Sequence, residues 1–131
     1  MAPEQYLEIS TAVPAELDEA VRGALRYAMT RLGLGRAIRY RFFVAGEAET
    51  WHGRRWTDSD GGLLGAVWAT DPDTIWVRAD LTPREARHTT LHEAVHIKEV
   101  QMPESGLAQE WEAAAERFAD THLPLLERSI R

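Results

Sequence analysis

The chain has 131 residues, five histidines, no cysteine and a net charge of −6. This length predicts one domain over residues 1–131. The lack of cysteine excludes a disulfide scaffold, a thiolate zinc finger and a cysteine nucleophile. The acidic balance disfavours nucleic acid as a partner, and the longest apolar run, at 63–69, is too short for a membrane helix. Because the N-terminus lacks the regions of a secretory signal, we expect a cytoplasmic protein.

Three segments have the periodicity of helices. After Pro14, apolar residues recur at three- and four-residue spacing as far as Leu32, and Gly33 and Gly35 are the stop signal. The segment 82–85, Thr-Pro-Arg-Glu, has the pattern of a capping box and predicts a helix to about Gln101. A final helix is expected over 107–122, ended by Pro124. The apolar side chains expected to face the core from this helix are Leu107, Trp111, Ala114, Ala115, Phe118 and Ala119.

Between the first two helices the pattern favours strands. Alternation predicts a strand from Ile38 to Val44, and a polar loop is expected at 46–61. A second strand is expected at 63–69 and a third from Thr74 to Ala79, with Asp71-Pro72-Asp73 as the turn of an antiparallel hairpin. The order is α-β-β-β-α-α, which predicts the α+β class with a small three-stranded sheet.

The capped helix carries the strongest chemical signal in the chain. His92 and His96 are four residues apart and therefore lie one above the other on one helix face, where both imidazoles reach one cation. Glu93 follows His92 and leans to the side of that face, where it can reach a metal-bound water without being a ligand. The alternative is two solvated helix histidines, or one buried histidine with a hydrogen bond.

A catalytic zinc site needs a third protein ligand and one open position. The final helix offers Glu112 on the flank of its apolar stripe, beside small alanines that allow close helix approach. We assign Glu112 as the third ligand. Glu116, one turn further, could accept a hydrogen bond from the non-ligating nitrogen of a zinc-bound histidine; the alternative is a solvated helix face.

These motifs resemble the gluzincin metallopeptidases, and most closely the ImmA/IrrE-type domain and the minigluzincins. The resemblance covers about residues 75–124 and includes Glu112, Ala115, Phe118 and Ala119 of the downstream helix, with Glu116 where asparagine is usual. It implies a zincin-like minimal core with an active-site helix and a glutamate helix. It also implies an edge strand that pairs with substrate, for which the segment 65–68, including Ala66, Val67 and Trp68, is the candidate; the alternative is an ordinary core strand.

The sequence therefore predicts a zinc metallopeptidase that hydrolyses peptide bonds with a metal-bound water, with Glu93 as general base. The partner is a peptide or protein substrate, and the oligomeric state stays open. The alternative function is a non-catalytic or regulatory zinc-binding module of the ImmA/IrrE type that binds a protein such as a repressor.

Other residues have weaker signals. His88, one turn before His92, would close the site if it were a fourth ligand, but we expect it to be exposed. His122 favours a role at a helix end or in the cleft. The group Trp51, His52 and Trp56 could form a lid or be packing residues. An oxyanion stabiliser is expected, and the candidates are Tyr40, His52, His122 and several arginines.

Overall fold

A computed structural model describes residues 13–35, 37–43, 64–68, 71–101 and 107–130. The described part contains three helices and three strands, which confirms the α+β class and the order α-β-β-β-α-α. The elements are α1 (Ala15–Leu32), β1 (Arg39–Phe43), β2 (Gly65–Trp68), β3 (Asp71–Arg78), α2 (Pro83–Gln101) and α3 (Ala108–Ile130). None of the described helices combines the length and the apolar character that crossing a membrane requires.

The sheet is mixed, and the last strand of the sequence lies at its centre. The strand order is β1-β3-β2, with β1 parallel and β2 antiparallel to β3. The antiparallel pairing of β2 with β3 confirms the predicted hairpin, with Ala66 opposite Trp76. Among the described strands β2 therefore has one partner, so its other side is an edge of the sheet.

The predicted turn at Asp71-Pro72-Asp73 is wrong, because these residues begin β3. Asp71 is paired with Trp68, so the strand starts three residues earlier than its sequence suggests. The pairing of β1 with β3 begins only at Thr74. The missing N–H of Pro72 therefore costs no hydrogen bond to β1. A strand tolerates proline at such a position, where no neighbouring strand needs the N–H on that side.

The helix termini follow the local sequence. At the end of α1, Gly33 has φ 66°, a left-handed conformation that glycine adopts without steric cost. At the start of α2, the Thr82 N–H donates to Glu85 Oε1 (2.9 Å) and the Glu85 N–H donates to Thr82 Oγ1 (3.2 Å). These two bonds form the predicted capping box. The helix that carries the histidines thus starts at a well-defined position.

The predicted end of α3 is wrong, because the helix continues through Pro124 to Ile130. Leu123 and Leu126 continue the buried stripe of Ala115 and Ala119. A proline inside a helix costs about 3 kcal/mol, and burying one leucine returns about 1.5–3 kcal/mol. The burial of Leu123 and Leu126 thus offsets the cost of Pro124 inside the helix. Leu107, expected in the core, precedes the helix and is 61% exposed.

Helix α2 is the centre of the fold. It packs against α1, α3, β2 and β3, and its side chains Leu91, Ala94 and Ile97 are fully buried. The face that carries His92 and His96 is turned toward α3, which runs antiparallel to it. Since the sheet and the two neighbouring helices all contact α2, the position of this helix is set from several sides.

Candidate metal centre

Three side chains from α2 and α3 bring their donor atoms together. His92 Nε2 lies 3.3 Å from His96 Nε2 and 2.7 Å from Glu112 Oε1, and His96 Nε2 lies 3.2 Å from Glu112 Oε2. Donors this close can ligate one ion after small side-chain shifts, because ligands about 2.0–2.1 Å from a tetrahedral metal are roughly 3.4 Å apart. The structure thus brings together the two histidines and the glutamate that the sequence analysis selected.

The second nitrogen of each imidazole faces another carboxylate. His92 Nδ1 lies 2.8 Å from Glu116 Oε1, and His96 Nδ1 lies 2.7 Å from Glu99 Oε1. With the proton on Nδ1, each ring donates to its carboxylate and leaves the Nε2 lone pair free for a metal. Glu99 was missed by the sequence analysis. Its signal is its position three residues after His96, on the same helix face.

The two imidazoles are largely buried, whereas Glu112 and Glu116 are about half exposed, so the centre opens to solvent on the α3 side. Burial alone would lower the pKa of His96. The hydrogen bond with Glu99 and the negative charges of Glu93 and Glu112 outweigh that effect and raise the pKa above its ordinary value. The surroundings are therefore strongly negative, which suits a cation.

Glu93 lies beside this centre and has a different environment from the other acids. Its side chain is only 9% exposed. Burial raises the pKa of Glu93 to about 7; the positive charge of His96 opposes this shift, and the carboxylates of Glu112 and Glu116 add to it. A buried carboxyl with a pKa near neutrality can both accept and release a proton at physiological pH.

This pKa predicts how stability depends on pH in the metal-free protein. Because the pKa of Glu93 rises from 4.5 in the unfolded chain to about 7 in the folded one, stability falls as the pH rises through that window. We expect Glu93→Gln to be more stable than wild type by about 3 kcal/mol near pH 8, and by less than about 1 kcal/mol near pH 5. Urea unfolding in chelator measures both values. Glu19→Gln, at an exposed position of α1, should show no such pH-dependent gain, and an equal gain at both pH values for Glu93→Gln would contradict the assignment.

The candidate substrate strand lies next to Glu93. In β2, Ala66 is buried and Val67 half-buried, and the side chain of Trp68 lies outside the described residues. A cleft of about 400 Å³ lies between the start of this strand and the helices, with Leu64, His88, Thr89 and Leu123 among its lining residues. Thr89 is one turn before Glu93 on α2. The cleft therefore lies along the first turns of α2, on the N-terminal side of the metal centre.

His88 and His122 have partners that the sequence analysis did not foresee. His88 Nε2 lies 2.9 Å from Asp120 Oδ1. The His88 side chain is 31% exposed, so this residue is half-buried and not fully exposed as expected. With Glu116 and Asp120 it forms a second group of potential metal donors, which adjoins the first through the contact of Glu116 with His92. His122 Nδ1 lies 2.8 Å from the Tyr27 hydroxyl, and the His122 ring packs on Phe118. Burial, and then the positive charge of Arg31, lower the pKa of His122.

The two described oxyanion candidates that are not arginines, Tyr40 and His122, have their hydrogen-bond partners on α1 rather than at the metal centre. Tyr40 donates its hydroxyl proton to Asp18 Oδ1 (2.8 Å) and accepts from Arg22 Nε (3.2 Å), which places it on the α1 side. His122, on α3, contacts Tyr27, which also belongs to α1. The segment 51–56, with His52 and both tryptophans of the suggested lid, lies outside the described residues.

Comparison of the chain with protein-family models, with curated proteins and with solved structures found no match.

Proposed function

We propose that the protein is a zinc-dependent peptidase with a zincin-like core, in which His92, His96 and Glu112 hold the metal and Glu93 is the general base. The observation that carries this proposal is the convergence of three donor atoms beside one buried acid. Two imidazoles and one carboxylate are the ligand set of many catalytic zinc sites, which keep a fourth position open.

The donors fit zinc in their chemistry as well as their spacing. Nitrogen and carboxylate ligands suit a borderline metal better than magnesium or calcium, which prefer oxygen alone. Glu99 and Glu116 hold the outer nitrogens of the two rings, which supports a ligand role for both Nε2 atoms. When bound, zinc acidifies a water and polarises a carbonyl group.

Glu93 would move the proton in this reaction. Its carboxylate takes a proton from the attacking water and later gives it to the leaving amine. Burial raises the pKa of Glu93 to about 7 in the metal-free protein, and the positive charge of a bound zinc ion would favour the ionised form that accepts the proton. The burial that raises this pKa also keeps bulk water from competing for the carboxylate.

The peptide would pair with the edge of β2 that has no partner among the described strands. Ala66, Val67 and Trp68 would supply backbone N–H and C=O groups to an extended peptide, as in β-augmentation. The cleft beside Leu64 and Leu123 could receive an apolar side chain of that peptide. The resemblance to gluzincins supports this placement, because it implies an edge strand before the active-site helix.

The proposal is tested with zinc-loaded protein and a peptide library read by mass spectrometry. We expect defined cleavage products that disappear with chelator and return with added zinc. Tight zinc binding without any cleavage would contradict a peptidase and favour the regulatory module that binds a protein partner. Failure to bind zinc at all would remove both functions.

The carboxylates behind the two imidazoles should affect metal affinity. We expect Glu99→Gln and Glu116→Gln each to weaken zinc binding by about 10- to 100-fold, because each loses a charged acceptor for a ring N–H. Competition with a chromophoric chelator measures this. Glu127→Gln, whose carboxylate pairs with Arg84 on the same helix pair, is the control. Unchanged affinity in both site variants would show that these contacts do not orient ligands.

A further inference from the structure

Gly65 at the start of β2 has no room for a side chain, because other atoms lie close to the position that a Cβ would occupy. A Cβ built there would lie 2.5 Å from Thr89 Cγ2, 2.9 Å from the Trp76 carbonyl oxygen and 3.1 Å from Glu93 Cγ. Real Cβ atoms hardly ever come within 3.0 Å of other heavy atoms. The edge strand thus lies against α2 at a distance that only glycine allows, and it does so at the level of Glu93.

Gly65 is therefore not a turn glycine, since it lies within a strand and has no left-handed φ. A glycine inside a strand weakens it, but marks a place where two backbones come close. The neighbour on the central strand is backbone, and Trp76 itself is 1% exposed, so that side cannot yield. An added methyl group must displace β2, or the side chains of Thr89 and Glu93.

We infer that Gly65 is a positioning residue: by lacking a side chain it lets β2 approach α2 so closely that a peptide on the strand edge lies within reach of the Glu93 carboxylate. This inference rests on the proposed function. It explains why β2, which would hold the peptide, lies so close to Glu93, which would activate the water. A misplacement of about 1 Å in such a geometry can cost about 100-fold in rate.

The test compares two inhibitors of zinc-loaded protein by calorimetry. Acetohydroxamate binds only the metal, whereas a peptidyl hydroxamate also occupies the strand edge. We expect wild type to prefer the peptidyl compound, and Gly65→Ala to reduce that preference at least tenfold while zinc affinity is unchanged. The Gly65→Ala, Thr89→Ala double variant removes the closest contact and should recover part of the preference. If Gly65→Ala alone does not fold, the double variant takes its place in the comparison of the two inhibitors.

Gly23→Ala is the matched control, because a Cβ at this glycine of α1 meets nothing within 4 Å. A purely structural role for Gly65 would lower the melting temperature of Gly65→Ala and leave the preference between inhibitors unchanged, which would overturn the inference. Equal binding of both inhibitors by wild type would overturn it too, since the strand edge would then not serve the metal centre.

The peptidase proposal can fail separately. Wild type that cleaves no peptide but keeps the inhibitor preference, with loss in Gly65→Ala, supports the positioning role and contradicts hydrolysis. Wild type and Gly65→Ala that cleave peptides with the same kcat and KM support hydrolysis and overturn the positioning role. When both hold, we expect kcat of Gly65→Ala to fall by about 100-fold.

Discussion

Glu93→Gln is expected to bind zinc as tightly as the wild-type protein and to hydrolyse peptides at least about 100-fold more slowly, because general base catalysis contributes roughly 10²–10⁴-fold. The amide has the shape of the carboxyl group but cannot accept the proton of the attacking water. Zinc affinity should persist because the three proposed ligands are other residues, which offer one donor atom each within 4.8 Å of one another.

The two quantities to measure are kcat/KM and the zinc content after dialysis. Glu127→Gln, at a partly buried acid of α3 that pairs with Arg84, is the control and should keep wild-type turnover. Turnover by Glu93→Gln equal to that of wild type would remove Glu93 from the mechanism. Loss of zinc from this variant would instead mean that Glu93 is a ligand.

Removal of the proposed third ligand should have the second large effect. Ligand binding at about 1,000 times the dissociation constant stabilises a folded protein by about 4 kcal/mol. We expect wild type to gain this much from zinc, and Glu112→Ala to gain almost nothing at the same free zinc concentration. Two imidazoles on one helix then remain, without the carboxylate that ties α3 to the metal.

Thermal or urea unfolding with and without zinc measures this difference. Asp120→Ala separates the two candidate groups, since Asp120 belongs to the set with His88 and Glu116. Its response to zinc should match that of wild type. A zinc response that survives in Glu112→Ala but disappears in Asp120→Ala would move the metal to the second group.

Features that depend on neighbours in the chain could be predicted from the sequence. The capping box of Thr82 and Glu85 closes over three residues, and Gly33 ends α1 through its own φ. The proximity of His92 and His96 is of the same kind, because a four-residue spacing on a helix places two rings on one face whatever the rest of the protein does. The structure puts their Nε2 atoms 3.3 Å apart.

Local signals failed where packing or pairing opposed them. Asp71 and Pro72 have the residue types of a turn, yet pairing with β2 makes them part of a strand. Pro124 is a helix breaker by its ring, yet Leu126 beyond it is buried and keeps α3 helical. In both places the competing energy comes from residues distant in sequence, so a local pattern does not contain it.

The sequence alone was sufficient for the α+β class, the element order and the pair of histidines on one helix, because each depends on periodicity or on spacing within one element. Tertiary structure decided the rest of the site. The antiparallel packing of α3 on α2 brings Glu112 to both imidazoles and Glu116 to His92. The close approach of β2 at Gly65 places this strand beside the Glu93 side chain. Burial depends on everything that surrounds a group, and so the pKa of Glu93 follows from the fold rather than from its neighbours in sequence.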